Sequence, residues 1–228
     1  SAVVKISELN SNISSCDLIE LKVVTGGTMN GIKVIEGGEL SDTTLITFGA
    51  ITVATGDIIV LHLNSGNATC NPSAATNETT SITQFPVGTY ATNYDTAWDV
   101  WSADTGLTNT DNVIIVTDSA GTAYMDAVPI SNNDGAVVAA AITDFCAVYD
   151  GTIWTSVATC ATALATALQG NAAIDSDNLG TSAAGNSYQR VRNSGGSYCD
   201  SSPGKAADFG IAAPTWGTDS ALGAGACP

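Results

Sequence analysis

One segment indicates the fold class most directly: Val113-Ile114-Ile115-Val116-Thr117-Asp118-Ser119-Ala120-Gly121-Thr122-Ala123-Tyr124-Met125-Asp126-Ala127-Val128. Residues 113–117 and 122–128 are rich in β-branched and aromatic side chains, which favours two strands. Between them, Asp118, Ser119 and Gly121 are residue types that form tight turns. The sequence therefore predicts a β-hairpin here and a mainly β fold around it.

Further short segments have the same character, and glycine or Asx turns separate most of them. Strands are predicted at residues 3–9, 18–24, 31–35, 45–48 and 58–63, with two more pieces at 188–192 and 209–212. Short strands with turns at this spacing are typical of a sandwich or a barrel.

Two stretches depart from this pattern. Residues 67–97 are rich in Thr, Ser and Asn and lack periodicity, so we predict a long polar surface loop that could carry a binding surface. Residues 134–170 carry apolar side chains every three or four positions, which predicts a helical hairpin. We interpret the hairpin as an insertion into a single domain that spans residues 1–228.

The cysteines indicate an oxidising compartment. Their even number and their scatter, without a C-x-x-C pair and with one histidine in the chain, favour disulfides over zinc. Six cysteines allow 15 pairings. Antiparallel helices would place Cys146 opposite Cys160. The predicted bridges are Cys16–Cys70, Cys146–Cys160 and Cys199–Cys227.

The charge excludes several classes of partner. With 6 Lys+Arg against 22 Asp+Glu, the formal net charge is -16, which repels phosphate backbones and anionic lipid headgroups. We therefore expect no nucleic-acid partner.

Since no run of about 18 apolar residues occurs, we also expect no membrane insertion. The opening Ser1-Ala2-Val3-Val4 reads as a mature end left by a leader peptidase, although a trimmed chain would look the same. These features predict a secreted protein, extracellular or at the cell surface.

Several segments, taken in order, resemble the lamin-tail domain of the type found in exported bacterial proteins. The segments that carry the resemblance are Ile6-Ser7-Glu8-Leu9, Asp17-Leu18-Ile19-Glu20-Leu21, Gly31-Ile32-Lys33-Val34, Gly56-Asp57-Ile58-Ile59-Val60-Leu61, the hairpin from Asp111 to Val128, Asn186-Ser187-Tyr188-Gln189-Arg190, Asp208-Phe209 and Pro214-Thr215-Trp216-Gly217. Pro214 and Thr215 are inverted relative to the family's T-P-G ending, and the long loop and helical hairpin lie outside the resemblance. It implies an immunoglobulin-like β-sandwich that serves assembly, attachment or partner binding, with no catalytic residues.

Few side chains suggest chemistry, and we assign no catalytic residue and no cofactor. His62 lies in an apolar strand without a G-x-S-x-G motif, so we interpret it as a histidine that faces solvent or is hydrogen-bonded at a sheet edge. Asp175, Asp177 and Asn178 form an oxygen-rich cluster that is either a calcium site or a solvated turn.

Other side chains suggest structure or recognition. Trp98, Trp101, Tyr90 and Tyr94 cluster near the long loop, where aromatic side chains either stack on sugars or pack in a core. Glu8 and Glu20 lie in matching strands, and Arg190 is the predicted partner of one of them. Sequons at Asn12, Asn67 and Asn77 are glycosylation sites if the source cell modifies exported proteins.

Two functional hypotheses follow. The first is a non-enzymatic structural protein, a subunit of a surface filament or layer that assembles with copies of itself by pairing the strand at residues 1–9, or an open sheet edge, with a neighbour. The second is a monomeric secreted adhesion or carbohydrate-binding module that uses residues 67–101, with cell-surface glycan as its partner. A secreted hydrolase is a third hypothesis, but no residue set in the sequence supports it.

Overall fold

The computed structural model describes residues 1–37, 42–132, 143–144, 146–147, 174–175, 179–199, 208–223 and 227. This part of the chain is mainly β, and α-helical conformation within it is confined to residues 143–144 and 146–147. The strands are β1 (Val3–Asn10), β2 (Leu18–Thr25), β3 (Gly27–Thr28), β4 (Lys33–Glu36), β5 (Thr43–Thr47), β6 (Thr52–Val53), β7 (Ile58–His62), β8 (Trp98–Trp101), β9 (Asn112–Thr117), β10 (Tyr124–Ser131), β11 (Ile174–Asp175), β12 (Ser187–Arg190) and β13 (Phe209–Ala212).

The largest sheet has six strands in the order β13-β12-β1-β2-β7-β8. Its pairs are antiparallel except β7 and β8, which run parallel. Two neighbouring parallel strands require a long crossover connection. The predicted loop at residues 67–97 lies within the connection from β7 to β8. β1 is central in this sheet, so the prediction that the first strand pairs with a neighbouring copy is wrong: β2 and β12 already flank it.

A second sheet has five strands in the order β11-β10-β9-β4-β5. Its β9 and β10 are antiparallel neighbours and confirm the predicted hairpin. In the turn between them, the Asp118 carboxylate accepts hydrogen bonds from the backbone N–H groups of Thr122 and Ala123. Gly121 has a φ of 68°, in the left-handed region that glycine adopts without strain.

The two larger sheets share one hydrophobic core. The six-stranded sheet contributes residues such as Ile6, Leu21 and Leu61, and the five-stranded sheet contributes residues such as Ile114 and Val128. All five are inaccessible to solvent. At about 25 cal/mol per Å² of apolar surface removed from water, burial of this kind is the main stabilising contribution.

A buried ion pair also joins the sheets. Arg190 Nη2 of β12 lies 2.5 Å from Asp126 Oδ2 of β10, and both side chains are inaccessible. Arg190 Nε also donates to the Ile6 carbonyl oxygen, and the guanidinium lies over the Phe209 ring. The prediction that Arg190 pairs with Glu8 or Glu20 is therefore wrong, because the strand directs this side chain into the core.

Most predicted strands are present, with boundaries shifted by a few residues. The strand predicted at 45–48 occupies Thr43–Thr47, and the strand predicted at 209–212 is β13. β8 was not predicted, because its four residues follow a long polar segment. The two-residue strands β3, β6 and β11 were also missed.

The predicted helical hairpin at residues 134–170 lies almost entirely outside the described residues. Thr143, Asp144, Cys146 and Ala147 are helical, and the rest of the hairpin stays a prediction.

Two predicted disulfides are present. Cys16–Cys70 and Cys199–Cys227 have Cα–Cα distances of 5.1 and 5.3 Å. Cys146 is disulfide-bonded too, and its predicted partner Cys160 lies outside the described residues. Such bridges indicate an oxidising environment. No helix within the described ranges has the length and hydropathy needed to cross a bilayer.

Candidate binding cavity

A cavity of about 460 Å³ lies on the outer face of the six-stranded sheet, opposite the shared core. One wall is apolar and includes Ile13, Leu18, Leu63 and the Cys16–Cys70 bridge. The rest of the described lining consists of Ser14, His62, Thr69, Trp101 and residues 91–94 and 181–183. This volume is typical of small-molecule sites in proteins.

The aromatic part of the cavity wall is built by the parallel pairing of β7 and β8. This register sets His62 directly beside Trp101. Their rings stack with centroids 4.2 Å apart and an interplanar angle of 13°, and Tyr94 stacks more loosely on His62 at 5.9 Å. His62 is buried, with 4% of its surface exposed, so the prediction of a solvent-facing histidine is wrong. The predicted hydrogen bond is present, but not at a sheet edge, because β7 lies between β2 and β8.

A buried carboxylate holds the histidine in place. Asp99 Oδ1 lies 2.7 Å from His62 Nε2, while Asp99 Oδ2 accepts a hydrogen bond from the Tyr94 backbone N–H. A carboxylate oxygen facing Nε2 assigns a proton to that nitrogen, which leaves Nδ1 as an acceptor in the neutral ring. The pair therefore orients the imidazole and fixes its tautomer.

Three polar atoms of the cavity-lining residues are buried without a hydrogen-bond partner. They are Thr92 Oγ1, Asn93 Oδ1 and Trp101 Nε1. Leaving a buried polar group unpaired costs about 1–3 kcal/mol, so native proteins pair nearly all of them. All three lie on residues that line the cavity, although the atoms themselves have almost no accessible surface. Asn93 Oδ1 can accept a hydrogen bond, the Trp101 indole N–H can donate one, and the Thr92 hydroxyl can do both.

No Asp, Glu, Lys or Arg side chain is among the described residues that line the cavity. His62 and Tyr94 are the only titratable side chains among its lining residues, disulfide cysteines aside. Burial raises the pKa of the Tyr94 hydroxyl, and the nearby Asp99 carboxylate adds to this, so the phenol stays neutral and keeps its proton. The cavity therefore suits an uncharged polar ligand.

Two buried glutamates lie on the same outer face and anchor the segment after β13. Glu8 and Glu20 are direct cross-strand neighbours. Glu8 accepts hydrogen bonds from Ser187 and Thr215, and Glu20 accepts from Ser7 and from the Gly217 backbone N–H. Burial, together with the neighbouring Glu8 carboxylate, raises the pKa of Glu20 to about 8, and burial also raises the pKa of Glu8.

The predicted aromatic cluster divides between core and cavity. Trp101 and Tyr94 line the cavity, whereas Trp98 belongs to the shared core and donates its indole N–H to Asp57. Tyr90 packs on Phe85 in the loop, with ring centroids 4.9 Å apart. Core packing is therefore confirmed for Trp98, while sugar stacking by Trp101 and Tyr94 stays a prediction.

The three sequons differ in local geometry. Asn77 is exposed and uses only its Oδ1, which accepts from the Trp101 backbone N–H. Asn67 likewise uses Oδ1, toward the Thr69 backbone N–H. Asn12 donates its Nδ2, the atom that a glycan would occupy, to the Leu179 carbonyl oxygen. Of the three, only Asn12 has its Nδ2 in a hydrogen bond within the described part of the chain.

The calcium candidate stays a prediction. Asp175 lies in β11, while Asp177 and Asn178 lie outside the described residues. Within the described part of the chain, no group of three or more His, Cys, Asp or Glu side chains is arranged to hold a metal ion.

Sequence reasoning missed Asp99, Thr92 and Asn93. Asp99 alternates with two tryptophans in Trp98-Asp99-Val100-Trp101, and this period-2 pattern was the available signal for a strand beside β7. For Thr92 and Asn93 no local signal exists, because their role depends on where the loop folds back.

Comparison with known proteins gives one match. Residues 2–187 match the model of a family described as "protein second domain". The chain belongs to that family. The match runs from just before β1 to the first residue of β12, so it includes every cavity residue named above. The description states no activity, ligand or partner. No curated protein matches the chain.

Proposed function

We propose that this protein is an extracellular, non-enzymatic binding module that holds a neutral carbohydrate in the cavity beside His62 and Trp101. The observation that carries the proposal is a cavity whose described lining has no Asp, Glu, Lys or Arg and combines the aromatic side chains of Trp101 and Tyr94 with polar residues such as Thr92 and Asn93. A sugar presents hydroxyls that both donate and accept, together with C–H faces that pack on aromatic rings. It matches this combination better than a charged or purely apolar ligand would.

The net charge of -16 supports a neutral ligand. Anionic glycans would be repelled by the surface as a whole, and no cation lines the cavity to offset the repulsion. The resemblance to the lamin-tail domain supports a role in attachment or partner binding within an immunoglobulin-like sandwich.

A hydrolytic role has less support. The His62–Asp99 pair has the geometry of a base and its orienting carboxylate. However, no hydroxyl within the described residues is hydrogen-bonded to the His62 ring, so a nucleophile is not assembled with it. Glu78, the next nearby acid, binds the Asp99 backbone N–H rather than the imidazole. Binding without chemistry accounts for the geometry with fewer assumptions.

The test combines a glycan microarray of neutral, sialylated and sulfated sugars with calorimetric titration of the best neutral hit. The informative variant is Thr92→Val, which keeps the shape of the side chain and removes the unpaired hydroxyl. We expect it to weaken binding about tenfold, because a hydrogen bond to the ligand is lost. The ligand-free variant should be at least as stable as the wild type, since no protein partner loses a bond.

Thr76→Val, in the same loop but outside the cavity, is the matched control and should bind like the wild type. An array without neutral hits would reject the proposal. So would binding that Thr92→Val and Trp101→Phe both leave unchanged.

A second candidate function is self-assembly through a sheet edge. β5 ends the five-stranded sheet, and its Thr43, Thr44 and Thr47 are exposed. Strand addition at this edge would extend the sheet into a neighbouring copy, as in a surface filament or layer. Thr44→Pro, which blocks pairing at that edge, should abolish filaments seen by negative-stain electron microscopy. Monodisperse particles of the wild type at high protein concentration would exclude this function.

A further inference from the structure

We propose that the carbohydrate site extends beyond the cavity into a second subsite, so that the preferred ligand is an oligosaccharide of at least two units rather than a monosaccharide. The second subsite is a groove formed by Ala183 and Ala184 on one side and Pro214, Thr215, Trp216 and Thr218 on the other. This inference rests on the proposed function and adds to it the length of the ligand.

The groove adjoins the cavity directly. Tyr94 and Ala183 line both spaces, so the two spaces share part of their walls. The groove holds about 470 Å³, close to the 460 Å³ of the cavity. Two adjacent spaces of similar size match two successive units of a chain better than one unit.

The far wall of the groove is held rigidly against the sheet. Thr215 donates its hydroxyl to Glu8 at 2.7 Å, Gly217 donates its N–H to Glu20 at 2.8 Å, and Trp216 donates its indole N–H to the Ala183 carbonyl oxygen at 3.0 Å. The Trp216–Ala183 bond links the two sides of the groove, and the bonds to Glu8 and Glu20 fix one side on the sheet. The groove is therefore ordered before a ligand arrives, which lowers the entropic cost of binding.

Gly217 packs closely against Tyr94, one of the two residues that line both spaces. Its φ of 77° lies in the left-handed region, and a Cβ added there would lie 2.8 Å from Tyr94 Cβ. The backbone of the anchored segment therefore lies directly against Tyr94. A larger residue at position 217 would displace the ring that both spaces share.

The chemistry of the groove fits the same ligand class as the cavity. No charged side chain lines it, and its surface consists of two aromatic rings, a proline, two alanines and two threonines. Small residues allow close approach, while rings and hydroxyls suit the faces and edges of a neutral sugar. An extended peptide is a different occupant that the experiment distinguishes.

The experiment compares ligands of increasing length on the full chain by calorimetric titration. The probes are glucose, cellobiose and cellotriose, with the mannose and N-acetylglucosamine series of the same lengths alongside. In the series that binds, we expect the disaccharide to bind about fivefold to tenfold more tightly than the monosaccharide, as one further aromatic contact provides.

Ala184→Trp fills the groove and should remove this gain while leaving monosaccharide binding unchanged, which also shows that the variant is folded. Ala50→Trp, at an exposed loop position outside both spaces, is the matched control and should retain the gain.

Equal affinity for all lengths would overturn the second subsite and leave the proposed function standing. A gain that Ala184→Trp leaves intact would do the same. Absence of binding by every sugar would overturn both, and binding of an extended neutral peptide at the groove without any sugar would assign the site to a peptide instead.

Discussion

At the scale of single residues, the buried Glu20 makes stability depend on pH in an unusual direction. Its pKa rises from about 4.5 in the unfolded chain to about 8 in the folded protein. Between these values the folded state holds a proton that the unfolded state has lost, so stability falls as pH rises. Burial raises the pKa of Asp17 to about 7, so this residue also lowers the stability of the fold as the pH rises above about 4. We expect a higher melting temperature at pH 5 than at pH 8.

Glu20→Gln should weaken the dependence of the melting temperature on pH. Calorimetric melting between pH 4.5 and 8.5 would measure this dependence. Asp118→Asn is the control. The pKa of this exposed carboxylate is lowered by the Thr122 and Ala123 N–H groups, so its loss should reduce stability by a similar amount across that window. A wild-type protein that melts higher at pH 8 would contradict the assignment.

A second prediction at this scale concerns the ion pair between the sheets. Arg190→Met leaves Asp126 buried without its cation and should cost about 3–5 kcal/mol of unfolding free energy, measured by urea denaturation. The double variant Arg190→Met with Asp126→Leu should recover part of the loss, because it also removes the buried Asp126 carboxylate that had faced the guanidinium. Arg192→Met is the control: its contact with Asp219 is 3.5 Å long and partly exposed, so less than about 1 kcal/mol should be lost.

At the scale of elements, side chains of the long loop close the edge of β8. Asn77 Oδ1 accepts from the Trp101 N–H, and Glu78 Oε2 accepts from the Asp99 N–H. The Glu78 N–H in turn donates to the Asp99 carbonyl oxygen. The loop thus takes the place of a neighbouring strand, and pairing with another copy at this edge is blocked.

We predict that Asn77→Ala combined with Glu78→Ala lowers the unfolding free energy by about 1–3 kcal/mol and promotes association. Urea denaturation and light scattering after size exclusion would measure the two effects. Thr79→Ala, an exposed change in the same loop, should have neither effect. If association did not increase, edge protection by the loop would be refuted.

At the scale of the whole molecule, disulfides connect segments that are distant in the chain. Cys16–Cys70 closes a loop with a sequence separation of 54, for which the loop-entropy model gives about 4 kcal/mol of stabilisation. Because this bridge also forms part of the cavity wall, Cys16→Ser with Cys70→Ser should both destabilise the fold and weaken glycan binding. Cys199→Ser with Cys227→Ser, far from the cavity wall, should destabilise by a similar amount and leave binding unchanged at a temperature where both variants are folded.

Local sequence determined most of the strands and the central hairpin. β-branched residues, short segments and glycine or Asx turns act over a few residues, so β1, β2, β7, β9 and β13 can be located without tertiary information. The cysteine pattern predicted two bridges that the structure contains. The mainly β class follows from the same local signals.

Tertiary structure alone decided the candidate site. His62 and Asp99 are 37 residues apart, and only the parallel pairing of β7 with β8 sets them 2.7 Å from each other. Arg190 turned to Asp126 rather than to a glutamate because the orientation of a strand residue depends on the face it occupies, which local pattern did not settle. Contacts between distant segments depend on how sheets close and loops return, and the physical reason they escaped prediction is that no short-range preference encodes them.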